Sequence, residues 1–219
     1  MSDLIISSWG IIRKNNIRVN GIIEADIENN INFATFIKSL YKREQLNYPK
    51  FYKMDNLSKL GFITAELVLR KRNIPDLYKK ETIGVMITNS SSSLDTDINF
   101  QATISDAANY FPSPSVFVYT LPNILIGEIC IRNGIKGENA FLISQKFDAR
   151  LILTYVENLM NNNHTESCLC GWVELIHEKY ESFLMIIEKE GAISKNEEGI
   201  CRIAFTEKNI TQLYLNNGN

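Results

Sequence analysis

Apolar residues recur along this chain in two patterns, amphipathic stripes and short unbroken runs, and the two alternate. Phe33, Phe36, Ile37, Leu40 and Tyr41 fall three or four apart, which places them on one stripe of a helix covering about 32–46. A second helix is predicted from about Asn56 to Arg72, with Leu57, Leu60, Leu67 and Val68 inward and Gly61 allowing a close neighbour. Short apolar runs read as buried strands at 3–8, 82–88, 140–144, 167–175, 182–188 and 201–205. Asp95 or Asp97 is expected to cap a helix over roughly 98–108, and Pro112 and Pro114 then break the chain. A further helix fits between Pro122 and Arg132, stopped by Gly134. This order argues for an α/β fold, a sheet layered with helices, as a single domain over 1–215 with a frayed tail at 216–219.

The helix predicted over 148–161 stands apart. Leu151, Ile152, Leu153, Tyr155, Val156, Leu159 and Met160 cannot all share one face, so a second face needs cover, from this chain or from a partner subunit.

Charge and cysteine usage narrow the function classes. A net charge of −2, with cations and acids interspersed, gives no electrostatic reason for nucleic acid or an anionic membrane as partner. The one basic run, Arg70-Lys71-Arg72, falls at a predicted helix end, where cations are favoured by the dipole and solvated. The N-terminus lacks the basic leader and long apolar core of a signal peptide, and no window reaches a membrane-spanning length. Four scattered cysteines fit a reducing cytoplasm.

Candidate chemistry is sparse. His164, Cys168 and Cys170 do not have zinc spacing, and the two cysteines, two apart on a strand, share a face as small apolar residues. The serines at 90–93 lack the glycines and lysine of a phosphate loop and read as a strand exit. Phe111, Phe117 and Tyr119, around the proline-bearing segment, read as core or interface. No metal or cofactor is expected.

The segments YKMDNLSKLGFITAELVL at 52–69, GVMITNSSSS at 84–93, FPSPSVFVYTLPNILIGEICIRNGIKGEN at 111–139 and CGWVE at 170–174 carry a resemblance. In order and spacing they resemble the N-terminal half of the β-ketoacyl-acyl carrier protein synthases, over most of residues 1–190. The similarity is strongest to short ketosynthase-like proteins of bacterial fatty-acid and aryl-polyene or flexirubin-type pigment synthesis. It implies a thiolase-like half-domain with a mixed sheet. In that family a strand ends in an elbow bearing the acyl-accepting cysteine, and a Gly-Gly-x-Glu strand end follows at a fixed distance. Counting forward from Gly137 and back from Gly171 and Glu174 meets on Lys146, followed by Phe147 where a small residue is usual.

A lysine there is poorly suited to the cysteine's work. The helix dipole that stabilises a thiolate repels an ammonium, although burial would lower its pKa and leave an amine able to attack a thioester. The family's histidines belong to a C-terminal half without counterpart in these 219 residues, and neither His164 nor His177 matches them. Three readings result. The first is a non-catalytic, chain-length-factor-like partner of a full-length ketosynthase, with Phe111, Phe117, Tyr119, Lys146 and Phe147 facing a tunnel or interface. The others are a minimal acyltransferase or hydrolase on acyl carrier protein thioesters, and a self-associating homodimer.

Overall fold

The computed structural model describes residues 3–26, 31–161, 165–194 and 197–215. Its first strand has ten residues where the apolar run at 3–8 suggests six. β1 (Leu4–Arg13) is buried along almost its whole length, then reverses through Lys14 and Asn15, both at positive φ, into β2 (Asn16–Val19). Asn20 and Gly21 make a second tight turn into β3 (Ile22–Asp26). This meander was not anticipated, because β1 is covered on both faces and so shows no alternation between residues 9 and 13.

The helices α1 (Phe33–Arg43), α2 (Asn56–Lys71) and the short α3 (Ile74–Leu77) follow. The α1 stripe is buried as predicted, and Asn32 caps it by accepting from the Thr35 amide at 2.8 Å. Asp55 does the same for α2 through Ser58 at 2.9 Å. Next come β4 (Ile83–Asn89), buried at every position, α4 (Leu94–Ala102), α5 (Pro114–Val118) and α6 (Ile124–Asn133). The close approach expected at Gly61 is made by α6: a Cβ there would lie 2.5 Å from Leu125 Cδ1. Gly134, left-handed at φ 66°, ends α6 as predicted.

Then follow β5 (Asn139–Ile143), α7 (Ala149–Asn161), β6 (Ser167–Ile176), β7 (Lys179–Lys189), β8 (Ile203–Ala204) and α8 (Glu207–Leu215). The sheet order is β3-β2-β1-β7-β6-β4-β5, with β8 pairing with β1. β4 is parallel to β5 and β6, and the other pairings are antiparallel, so the sheet is mixed. One apolar cluster joins α1, α2 and α6 to one face, and a second joins α7 and α8 to the other, giving three layers.

Several expectations are corrected. α4 spans 94–102 rather than 98–108, and neither acid is its cap: Asp95 accepts from the His177 amide at 2.8 Å, and Asp97 from Ser93 Oγ at 3.3 Å. Pro114 opens α5 instead of breaking the chain, since its missing N–H is harmless in a first turn. The run at 201–205 yields a strand of only two residues. Arg72 is not solvated; it is buried against Glu188. α7 is amphipathic, with Arg150, Thr154, Asn158 and Asn161 exposed along one stripe. Its remaining apolar surface is half-buried, and α8 of this same chain supplies part of the cover. The tail at 216–219 and His164 lie outside the described residues.

Candidate functional site

The parallel strands β4, β5 and β6 end on one edge of the sheet, and the loops leaving them hold the residues singled out by sequence. After β5 the chain is pinned by the Ser144 amide on the Asn89 carbonyl (2.9 Å) and by Ser144 Oγ on the Lys146 carbonyl (2.8 Å). Asp148 caps α7 through the Leu151 amide at 3.0 Å. Lys146 therefore stands two residues ahead of the cap, exposed to solvent rather than buried.

Phe147 turns inward. Its ring stacks on Tyr214 of α8, with centroids 3.7 Å apart, and meets Phe183 and Trp172 edge-on at 5.9 and 6.2 Å. Glu181 ties this aromatic group together. It accepts from Tyr214 Oη at 2.6 Å, Trp172 Nε1 at 3.0 Å and Arg13 Nε at 2.9 Å. Burial and the Glu181 carboxylate together push the Tyr214 phenol up, so it stays a donor at any ordinary pH.

Beside this group lies an open cleft of about 470 Å³, lined by Arg13, Ser90, Ser91, Glu174, Tyr180 and Glu181 among others. Glu174 is fully engaged: it accepts from the Ser90 amide at 2.7 Å and from the hydroxyls of Ser90 and Ser91. The serine run is thus a strand exit locked by a carboxylate from the neighbouring strand.

No thiol reaches the turn. Burial pushes Cys130 up to about 11 and also raises Cys201; Cys168 and Cys170 are fully buried together in the α7-side cluster, where burial and the neighbouring thiol raise Cys170. His177 sits exposed in the β6–β7 turn. Among the described residues no three metal-binding side chains converge.

The structure separates the aromatic candidates. Phe111 and Phe117 are 79% and 53% exposed, with Tyr110, Val118 and Leu121 exposed beside them in sequence. Tyr119 is 8% exposed, and its hydroxyl donates to Glu128 at 3.0 Å, an acid also paired with Lys50 at 2.8 Å; it is a core residue. Sequence reading missed Arg13, Glu181 and Tyr214. The nearest signal was Thr206 ahead of the apolar-periodic Ile210, Leu213 and Tyr214, a helix start that brings Tyr214 to the site.

A mixed sheet between two helical layers, with a strand–turn–helix presenting residue 146 at the strand ends, is the thiolase-like ketosynthase fold, and the comparison with solved structures bears this out. The chain is similar to the ishigamide ketosynthase/chain length factor, with TM-score 0.66 and 17% identity over 87% of this chain and 63% of that one. It is similar to a type II polyketide ketosynthase solved with its acyl-carrier protein, with TM-score 0.60 and 12% identity over 86% of this chain and 62% of that one. A ketosynthase in complex with its chain length factor from Xenorhabdus doucetiae gives TM-score 0.58 and 12% identity, over 85% and 79%. The chain thus spans a little under two thirds of the first two. No protein-family model matches the sequence. No curated protein matches it either.

Proposed function

We propose that this chain is a non-catalytic, chain-length-factor-like partner of a ketosynthase, acting in fatty-acid or polyene/polyketide synthesis in the cytoplasm. The observation that supports it is the turn at residue 146: where the family's nucleophilic cysteine falls by resemblance, the fold presents an exposed lysine, with an inward Phe147 sealed under Tyr214. A surface for the partner is available. Phe111, Phe117, Val118 and Leu121 are exposed near one another in sequence, and β5, an edge strand, is at best half-buried along its length. Two of the similar structures hold complexes, one of a ketosynthase with its chain length factor and one of a ketosynthase with its acyl-carrier protein.

The test is purification of the tagged chain from its native host, followed by native mass spectrometry. A stoichiometric ketosynthase is the expected companion, and a homodimer or a lone chain overturns the reading. Phe117→Arg is expected to weaken the complex by about thirtyfold or more, the effect of losing about 2 kcal/mol at an interface anchor. Incubation with acyl carrier protein thioesters is expected to leave the chain's mass unchanged. A stable acyl adduct abolished by Lys146→Ala would establish the acyltransferase reading instead.

A further inference from the structure

The helix α8 is held differently from the rest of the fold. It fully buries one side chain, Ile210, whereas α7 buries five and the middle of β7 is buried at seven consecutive positions. It reaches the sheet through β8, which pairs with β1 at only two positions, Ala204 on Ile5 and Ile203 on Ile6. The buried Phe205 just ahead of it and the half-buried Leu213 add apolar contact, and its polar grip lies in Tyr214. That residue stacks on Phe147, donates to Glu181, lies 4.6 Å from the Arg13 guanidinium, and accepts from Arg13 through its backbone carbonyl at 3.3 Å. The helix has its own start, with Thr206 Oγ1 accepting from the Asn209 amide at 3.2 Å, so it is locally specified.

What α8 covers is equally specific. It packs on α7 and closes over Phe147 and Phe183 behind the Lys146 turn, with Trp172 edge-on to Phe147 beneath. We infer that α8 is a releasable strap: it lifts as a unit, without unfolding the sheet, and uncovers an apolar surface made of these aromatic residues and the adjoining side of α7. A short strand pairing and a small buried apolar surface are the marks of a segment that opens at lower free energy than the global transition. The strap occupies the α7 face in cis, so a ketosynthase partner is directed to the β5 edge and the Phe111–Leu121 segment while the strap is closed. That last consequence rests on the proposed function; the opening itself does not.

Native-state hydrogen exchange on the isolated full chain tests the opening without any partner. The amides of residues 210–215 are expected to exchange at one common rate, at least about 100-fold faster than those of β6 and β7. Tyr214→Ala is expected to raise that rate about tenfold or more, leave β6 and β7 unchanged, and increase the fluorescence of an added apolar dye several-fold. Tyr214→Phe, which keeps the stacking and loses only the Glu181 bond, is the conservative companion should the alanine variant fail to fold, with an intermediate rate expected. Protection of α8 within about threefold of the central strands would make it an ordinary part of the core. Rates graded upward toward residue 215 would show end-fraying. Either result overturns the strap.

Discussion

Replacing Glu188 with alanine is expected to remove about 3 kcal/mol of stability, the lower end of the usual cost of breaking a buried ion pair, because Arg72 keeps a second, partly exposed partner in Glu197. Glu188 lies in the middle of the sheet with no exposed surface. Arg72 approaches it with Nε and Nη2, both at 2.8 Å, and Tyr78 Oη donates at 2.6 Å. Burial alone would raise this carboxyl's pKa; hydrogen bonds from Arg72, Ser7 and Tyr78 and the Arg72 charge outweigh it and hold the group below the usual glutamate range. A group with a depressed folded pKa stabilises the fold above its unfolded value, near 4.3, and loses that contribution as pH falls through the lower folded value. Urea titrations of wild type and Glu188→Ala should therefore differ most at neutral pH, and the gap should narrow as pH falls below the unfolded value near 4.3. A double variant, Arg72→Met with Glu188→Leu, should recover to within about 2 kcal/mol of wild type, because no charge is then stranded. If the double variant is no better than the single, the ion pair contributes more than charge compensation.

The second large effect is expected at Gly171, in the centre of β6. Its φ is +152°, and a Cβ built there would fall 2.0 Å from the Phe183 carbonyl oxygen and 3.0 Å from Leu184 Cα. Both obstacles are backbone of the adjacent strand β7, so no rotamer change relieves them. Gly171→Ala should cost more than about 4 kcal/mol or abolish soluble expression, lowering the melting temperature of a surviving protein by roughly 10 °C or more. Gly127 in α6 is the control. Nothing lies within 4 Å of a Cβ there, so Gly127→Ala should be neutral or stabilising by up to about 1 kcal/mol. Circular dichroism melts of the two variants decide the point; equal melting temperatures would mean that β6 and β7 can shift apart.

Legibility in the sequence followed the range of the interactions involved. The α1 stripe, the α6 stop at Gly134 and the close approach at Gly61 all rest on periodicity or on a single residue's sterics, and all were readable. The turns at Lys14-Asn15 and Asn20-Gly21 carried a hairpin signal, but burial of β1 on both faces removed the alternation that would have framed it. At the candidate site Lys146, the residue that the resemblance sets at the family's cysteine position, was reached by counting from two landmarks. Its exposure was not, because that depends on where Asp148 begins α7 and on how Ser144 ties the turn.

By itself, then, the sequence determined the alternation of helices and strands, the layered α/β class, and the absence of a cysteine at the strand–turn–helix. Only the tertiary structure decided which charges are buried and what covers α7. Arg72 and Glu188 are 116 residues apart, Arg13 and Glu181 are 168 apart, and Tyr214 meets its Glu181 partner across 33. Such pairs leave no periodic trace in the chain, since sheet order, not local spacing, brings β1, β7 and the C-terminal helix into contact.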